Sequence, residues 1–197
     1  MKKLFVVGLA LIISGCGGGY DSLPPQVSNG AGGTIGAGGT IGSGGSKNDG
    51  NWKYGSTSNA EGVFSLTARI DATNTYTVPQ FPNLNQRSWI ELEKRKMAVG
   101  IISKRFTIFA PEEVKCTPSC QIRIKFNGGI SSYNFLQRVD GVLTPASDQL
   151  AAELFDKTTR SNSATIYLPI AGLSDEVESE FNLKGYNEDK IKFTGEQ

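Results

Sequence analysis

The sequence predicts a mainly β protein: a single antiparallel, β-sandwich-like domain with one short α-helix, preceded by a disordered glycine-rich tether. Three observations support this fold class. From Trp52 onward, apolar and polar residues alternate with a period of two in many short segments, which is typical of half-buried strands. A single segment has helical spacing, and the roughly 145 residues of 52–197 suit one β-rich globular domain. Residues 17 to about 50, in contrast, are dominated by glycine.

The N-terminal residues have the organisation of an export signal. Two lysines follow the initiator methionine, residues 4–13 are apolar, and Ser14 and Gly15 stand directly before Cys16. The apolar run is too short to span a bilayer stably. This order resembles the lipobox of bacterial lipoproteins, and the resemblance implies that 1–15 is a signal peptide and that Cys16 carries covalent lipid. The alternative is an ordinary secretory signal that happens to contain a cysteine.

The residue after the cysteine bears on localisation. In the lipoprotein family, an aspartate at that position tends to retain the protein in the inner membrane, but this chain has Gly17 there. The resemblance therefore implies a lipid anchor in the outer membrane of a Gram-negative cell, with the domain facing the periplasm. Two or more acyl chains anchor a protein stably, whereas a single chain binds membranes only marginally.

Residues 16–51 are predicted to form the lipidated start of the mature protein and a flexible linker. The hexapeptide Ala-Gly-Gly-Thr-Ile-Gly occurs twice in tandem, at 31–36 and 37–42. Because glycine leaves the backbone unrestricted and isolated isoleucines cannot build a core, we expect a random coil with an end-to-end distance of roughly 30 Å. A phosphate-binding loop is excluded, since no complete G-x-G-x-x-G and no Gly-Lys-Ser/Thr occurs.

Residues 62–71 have the clearest strand pattern. Phe64, Leu66, Ala68 and Ile70 would face the core, and the polar residues between them would face solvent. A β-hairpin is predicted where the alternating segment 121–126 is followed by Asn-Gly-Gly and a second strand at 131–136. Further strands are predicted at 76–78, 88–92, 98–103, 106–109, 142–144, 164–168, 180–183 and 190–193.

One helix interrupts the strands. Thr144-Pro145 is expected to cap and start it, and an acid near its start and two bases near its end suit the helix dipole. Leu154 and Phe155 fall on one face, which should pack on the sheet. The predicted core comprises Phe64, Leu66, Ile70, Ile90, Leu92, Ile122, Ile124, Phe126, Leu154, Phe155, Ile166 and Leu168.

Cys116 and Cys120 remain as a pair once Cys16 is assigned to the lipid. The oxidising compartment of an exported protein favours a disulfide between them, and the turn-forming residues 117–119 suit a short loop. A loop of this size contributes at most about 2 kcal/mol of stability. A metal site would lack further cysteine or histidine ligands, and a redox pair is more often Cys-x-x-Cys.

A looser pattern extends over most of the predicted domain, with a tryptophan at its start, a Cys-x-x-x-Cys before an alternating strand, and a helix before an apolar strand. It is carried by Trp52, Asn59, Cys116, Cys120, Ile122, Ile124, Phe126, Phe155, Ile166 and Phe181. The pattern resembles small β-rich domains of uncharacterised periplasmic lipoproteins and, faintly, the accessory lipoprotein family associated with type VI secretion. The resemblance supports the β-rich fold.

Composition excludes several function classes. The chain has no histidine, which removes Ser-His-Asp and Cys-His catalysis and histidine zinc sites. Loss of the two signal-peptide lysines would lower the 20 basic residues to 18 against 19 acidic ones, a balance of about −1. A near-neutral domain gives no electrostatic reason to expect nucleic acid as a partner. The basic run 94–96 follows two glutamates and is expected on a solvated surface.

Carboxylate pairs are the remaining means of ordinary hydrolysis. Glu91 and Glu93 would face the same side of a strand, and an acidic cluster occupies 174–180. A glycosidase needs two carboxyls about 5 to 10 Å apart across a cleft, one of them with a raised pKa. Calcium is another possibility for 174–180, although the Asp-x-Asp-x-Asp-Gly pattern is absent. The competing interpretation is a solvated strand edge and an acidic loop.

The candidate partner surface consists of Arg69, Arg123 and Lys125. If their strands pair, these cations would form a basic stripe that faces an acidic partner or an anionic glycan, and the alternative is the solvent side of a sandwich. Aromatic residues that could serve either as interface anchors or as core are Trp52, Tyr54, Trp89 and Tyr133.

These features together predict a non-enzymatic, lipid-anchored interaction module, accessory to an envelope or secretion complex. Its expected partners are the membrane, through the anchor, and an unidentified periplasmic or envelope protein; no catalytic residue, cofactor or metal is expected besides the lipid on Cys16. One alternative is a carboxylate-dependent envelope hydrolase or cell-wall glycan binder. A second is a purely structural envelope lipoprotein.

Overall fold

Eleven strands, one α-helix and one short 3-10 helix make up the computed structural model over the residues it describes, 50–78 and 81–196. The predicted signal peptide, Cys16 and the predicted linker up to residue 49 lie outside the described residues. In chain order the elements are β1 (Lys53–Ser58), β2 (Phe64–Asp71), β3 (Tyr76–Val78), β4 (Phe81–Gln86), β5 (Trp89–Lys96), β6 (Ile102–Phe109), β7 (Ser119–Phe126), β8 (Gly129–Val139), β9 (Val142–Pro145), α1 (Asp148–Arg160), β10 (Ser163–Leu168), β11 (Val177–Asn182) and the 3-10 helix (Glu188–Ile191).

Nine of these strands form one sheet in the order β1-β2-β5-β6-β9-β8-β7-β10-β11, and β3 and β4 form a separate hairpin. Every neighbouring pair in both sheets is antiparallel. The prediction of a mainly β, antiparallel domain with one α-helix is therefore confirmed for the described part of the chain.

The large sheet curves so that its last strand, β11, contacts the residues that follow β2 and precede β5, near the other end of the strand order. The Thr73 amide, just after β2, donates to the Glu180 carbonyl of β11 at 2.7 Å. Ser179 of β11 and Ser88, just before β5, are joined by a buried hydrogen bond of 3.2 Å. The two halves enclose one apolar core, in which the rings of Phe106 and Phe135 lie 6.2 Å apart.

Alternation along β5 shows how the sequence divides the two faces of this sheet. Ile90 and Leu92 are fully buried, whereas Trp89 and Glu91 are only half-buried. Complete burial of an aliphatic side chain of this size contributes about 1.5–3 kcal/mol, so the inward row is a main source of stability. Of the predicted core, only Phe64 is exposed, while Leu66 and Phe126 are partly buried and the remaining members are buried.

The helix α1 packs mainly against β6 and places Leu154 and Phe155 in the core, as predicted. Its start differs from the prediction, because Thr144 and Pro145 complete β9 instead of capping the helix. Ser147 is the N-cap, and its side chain accepts a hydrogen bond from the Leu150 amide at 3.2 Å. A serine oxygen satisfies one of the free amides of the first turn, which explains why the helix begins there.

The β7–β8 hairpin and the predicted disulfide are both present. Asn127 and Gly128 adopt positive φ angles of 47° and 96°, as a tight two-residue turn requires. The Asn127 side-chain oxygen also accepts a hydrogen bond from the Asn162 amide at 2.8 Å, which ties the turn to the start of β10. Cys116 and Cys120 are disulfide-bonded and join the loop before β7 to its first residues.

Three strand predictions need correction. The segments 98–103 and 106–109 are not separate strands, since residues 97–101 form a turn and β6 runs without interruption from Ile102 to Phe109. Residues 190–193 do not form a strand, because Asn187 caps a 3-10 helix by accepting from the Asp189 amide. Two strands, β1 and β4, were absent from the prediction, as both are polar and lack clear alternation.

Candidate interaction surface

The outward side chains of β2, β5 and β6 form a continuous surface, here called the outer strand face. Direct register pairs align Arg69, Glu91 and Thr107 across the three strands, and Asp71, Trp89 and Phe109 in the next row. The inward neighbours on β5 are buried in the core, so packing holds the strand that carries this face in place. The outer strand face comprises Thr67, Arg69, Asp71, Trp89, Glu91, Glu93, Arg95, Arg105, Thr107 and Phe109.

Trp89 is the centre of this face. Its ring stacks on Phe109 at 4.8 Å with an interplanar angle of 8°, and the Arg69 guanidinium lies 4.1 Å from the indole centroid. Arg69 also donates to Asp71 at 2.8 Å, and Lys53 pairs with the same carboxylate. Burial opposes ionisation of Asp71, but the hydrogen bonds and charges of Lys53 and Arg69 outweigh it and lower its pKa.

The two carboxylates predicted as a catalytic pair lie on the same face of β5, in different environments. Burial raises the pKa of Glu91, the negative charge of Glu93 raises it further, and Arg69 acts in the opposite direction. Glu93 is ion-paired with Arg95 at 3.0 Å along the same strand. One carboxyl is thus biased toward its neutral form while its neighbour keeps a cationic partner.

This arrangement limits what the pair could do chemically. A glycosidase places its two carboxyls on either side of a scissile bond. Glu91 and Glu93 instead lie side by side on the exterior of a sheet. A shallow groove of about 540 Å³ runs along β10 and β11 beside Thr73 and Lys184, and Glu180 is the carboxylate that lines it. The described residues thus do not bring the predicted pair into that groove.

The predicted basic stripe is divided between distant strands. Arg69 lies on β2, while Arg123 and Lys125 share the outward face of β7, and β2 and β7 are not neighbours in the sheet. The condition for a continuous stripe is therefore not met. Arg123 is ion-paired with Glu176 and lies 4.6 Å from the ring centroid of Tyr167.

Most of the aromatic residues considered as interface anchors are engaged inside the domain. Trp52 is buried and its indole nitrogen donates to the Leu183 carbonyl at 3.1 Å. Tyr133 is buried and its hydroxyl accepts from Lys157 at 2.9 Å. The Tyr54 hydroxyl accepts from the Asn187 amide at 2.7 Å. Trp89, half-buried on the outer strand face, is the member of this group best placed for an external contact.

The acidic cluster 174–180 is dispersed along β11 and the loop before it. Glu176 pairs with Arg123, and Glu178 and Glu180 project from alternate positions of the strand. Among residues 50–78 and 81–196, no group of three or more histidine, cysteine, aspartate or glutamate side chains is placed to hold a metal ion.

Lys94 is the charged residue that sequence reasoning placed wrongly. It was expected on a solvated surface with its neighbours, but its side chain is 2% exposed and faces inward from β5. Its ammonium lies 2.6 Å from a carboxylate oxygen of Glu196 and 3.6 Å from one of Glu188. The inward alternation Ile90, Leu92, Lys94 was the available clue, because a strand keeps its period of two through a charged residue.

No family model, curated protein or solved structure matches the chain. Within the part of the chain that the structure describes, every helix is too short or too polar to cross a bilayer.

Proposed function

We propose that this chain is a lipid-anchored interaction module of the bacterial cell envelope that presents its outer strand face to a partner protein without catalysing a reaction. The anchor is the lipobox cysteine Cys16, and the glycine-rich segment that follows it gives the domain freedom to search near the membrane. These features suit an accessory protein of an envelope or secretion complex.

The observation that carries the proposal is the contact group formed by Arg69, Trp89 and Phe109. Tryptophan and arginine are the residues most enriched at the energetic centres of protein interfaces. Here both are held in place before any partner binds, by the ring stack and by the Asp71 carboxylate. Pre-ordering of these side chains lowers the entropy cost of association.

A mixed set of charges surrounds this contact group and suits a protein partner better than a uniform polyanion. Glu91 and Glu93 lie beside Arg69, Arg95 and Arg105 across three adjacent strands. Alternating charges of this kind specify the orientation of a partner through complementary charges, whereas nucleic acids and anionic glycans require a mainly positive surface.

The proposal is tested by crosslinking in native envelopes. We expect one defined crosslinked protein with the wild-type chain, and loss of that product in Cys16→Ser and in Arg69→Gln. Lys125→Gln is the matched control, because Lys125 is a cation at an exposed strand position of β7, away from the outer strand face. A product that survives Arg69→Gln but disappears with Lys125→Gln would move the interface to the other half of the sheet.

The role of the linker is tested separately by deleting residues 30–45. Shortening should impair function in the cell while thermal unfolding of the domain stays unchanged, since those residues lie outside the residues 50–78 and 81–196 that form the described strands and helices. Full activity of the deletion variant would contradict the proposed tether.

One observation favours the alternative of an envelope hydrolase or glycan binder. The raised pKa of Glu91 is a property that a general acid requires. If purified protein digests or binds cell-wall material, and if Glu91→Gln with Glu93→Gln abolishes that activity, the alternative replaces the interaction module. Undiminished activity in the double variant would exclude the pair.

A further inference from the structure

The turn that joins β5 to β6 exposes an unusual amount of apolar surface. Met97, Val99 and Ile101 are 41%, 78% and 61% exposed. The residues between them, Ala98 and Gly100, have no polar side chain. Phe64, 53% exposed, lies at the same end of the sheet, paired in register with Lys96. These four large apolar residues, Phe64, Met97, Val99 and Ile101, are here called the apolar tip. Contiguous exposed apolar residues of this kind mark a site of contact with a partner protein or a membrane.

The tip is a closed turn at the end of paired strands. The Met97 amide donates to the Ile101 carbonyl at 2.9 Å, and the Gly100 amide donates to the Met97 carbonyl at 2.8 Å. These two hydrogen bonds close the turn and reduce the number of its backbone groups that must be desolvated when the tip leaves water. Transfer of unsatisfied backbone groups would otherwise oppose entry into an apolar phase.

Basic residues flank the tip on both strands of the hairpin. Residues 94–105 contain five basic and no acidic residues, with seven uncharged residues between Lys96 and Lys104. Lys94 is buried and paired with Glu196, Arg95 is paired with Glu93, and Lys104 with Asp156. Among the described residues, no carboxylate lies within ion-pair distance of the two remaining flanking cations, Lys96 and Arg105. The neighbouring β1–β2 turn contributes one acid, Glu61.

We infer that the apolar tip inserts into the interfacial region of a lipid bilayer, with Lys96 and Arg105 on the phosphate groups of anionic lipids. Val99 lies three positions beyond Lys96 in the turn, so the two residues are at most about 10 Å apart along the backbone. That length matches the roughly 5–10 Å to which interfacial segments enter a membrane. Basic side chains next to such a segment gain further attraction from an anionic leaflet.

A lipid surface explains the tip better than a protein groove does. The apolar residues project from a turn with cations on both sides, so the apolar and charged groups are arranged by depth, as in a membrane interface. On the outer strand face, by contrast, opposite charges are mixed beside the aromatic row. The two surfaces meet at Arg105, which lies opposite Glu93 on β5, and beyond that shared residue they are suited to different occupants.

The geometry of the domain is compatible with simultaneous anchoring. Strand β1 starts beside Arg69 and ends beside Phe64, so the chain enters the domain at the opposite end of the sheet from the tip. Six residues of strand span about 20 Å, which is less than the roughly 30 Å expected for the glycine-rich linker. The inference rests on the hairpin and holds whether or not Cys16 is acylated.

The test uses the full chain as the cell produces it, with an environment-sensitive fluorescent amino acid replacing Val99. The matched control carries the same fluorophore in place of Val139, which is 64% exposed at the end of β8 and lies near Gly141 and Ala110, beyond the opposite end of β6. Both proteins are mixed with vesicles of phosphatidylethanolamine and phosphatidylglycerol, or of phosphatidylcholine alone. Some vesicles carry brominated acyl chains as depth quenchers.

We expect a blue shift and acyl-chain quenching at position 99 on the anionic vesicles, a smaller response on phosphatidylcholine, and neither response at position 139. Adding Ile101→Asp to the position-99 protein should abolish both signals, because a carboxylate cannot enter the apolar layer at low cost. An unchanged emission at position 99 on anionic vesicles would overturn the inference. A shift that depends on protein concentration without vesicles would also overturn it, since a second copy of the chain would then cover the tip.

Discussion

Lys94 and Arg69 are cations on adjacent strands of one sheet, but they lie on opposite faces and are stabilised in opposite ways. Lys94 points into the domain, is 2% exposed, and depends on Glu196 and Glu188 from the C-terminal segment. Arg69 points outward, keeps contact with solvent, and rests on the Trp89 ring beside Asp71. The buried cation needs its carboxylates for folding, whereas the outward one is free to exchange part of its contacts for a partner.

The comparison distinguishes the charged residues that stabilise the fold from those that are available for binding. Removing one member of a buried ion pair leaves an uncompensated charge, which is strongly destabilising. An exposed pair or a cation over a ring contributes far less to folding. Variants on the two faces should therefore differ in which property they change: stability on the inside and binding on the outside.

The largest effect is expected for Glu196→Gln. The change removes the closer carboxylate of Lys94, so the free energy of unfolding should fall by about 2–3 kcal/mol, less than for a pair without a second carboxylate. Glu188→Gln is the matched control, because that side chain is 70% exposed and 3.6 Å from the ammonium. It should cost no more than about 0.5–1 kcal/mol in urea unfolding at pH 7. Equal losses in the two variants would contradict the assignment of Glu196 as the main partner of the buried ammonium.

The same ion pair predicts a pH dependence with a defined sign. Burial opposes ionisation of Glu196, but hydrogen bonds from Lys94 and the Phe193 amide lower its pKa below the ordinary value of 4.5. Its stabilising contribution is therefore complete above pH 4.5 and is lost as the pH falls through the lowered value. In Lys94→Met, Glu196 no longer has the ammonium as a partner. The free energy of unfolding should therefore fall less than in wild type as the pH is lowered through this range. A second variant, Lys94→Met with Glu196→Gln, should cost less than the sum of the single changes if the two groups interact directly.

The difference between the inward and outward faces also explains which strands the sequence predicts correctly. Period-two alternation identified most of β2, β7, β10 and the hairpin turn at Asn127, because there the charged residues face solvent. It divided β6 incorrectly because Ser103, Lys104 and Arg105 interrupt the apolar pattern, although Lys104 faces inward and is satisfied by Asp156. The charge of Lys104 is compensated by a residue that is distant in sequence, and a local pattern cannot reveal such a partner.

The candidate site was predictable to a similar extent. Arg69, Glu91 and Trp89 were identified separately by residue type, and alternation placed Arg69 and Asp71 on the outward face. Their assembly on one face depended on the pairing of β2 with β5 and of β5 with β6, which the sequence does not specify. Phe64 was expected in the core because it continues the alternation, but β2 begins there, beyond the enclosed part of the sheet.

An intermediate effect is expected for Arg69→Ala on the outer strand face. The change removes the guanidinium from the Trp89 ring and one of the two cations at Asp71, and should lower the free energy of unfolding by about 1 kcal/mol. Lys125→Ala should change it by less than about 0.5 kcal/mol. Urea unfolding of both variants provides the measurement. A loss at Arg69 as large as that of Glu196→Gln would mean that the outer strand face is mainly structural.

The smallest effect, and the one of opposite sign, is expected for Glu91→Gln. Because the folded-state pKa of Glu91 is raised above the ordinary value of 4.5, the folded protein binds more protons than the unfolded chain between that value and the raised one. Stability contributed by this group therefore falls as the pH rises through that window, and the loss is complete above the raised pKa. An uncharged amide avoids the loss, so Glu91→Gln should be more stable than wild type by up to about 0.5 kcal/mol at pH 7, and indistinguishable from it below pH 4.5. Glu93→Gln, which loses the ion pair with Arg95, should instead be slightly less stable at pH 7. A destabilised Glu91→Gln would show that this carboxylate stabilises the folded sheet, whereas a stabilised one identifies a charge retained at the expense of folding on the face where binding is proposed.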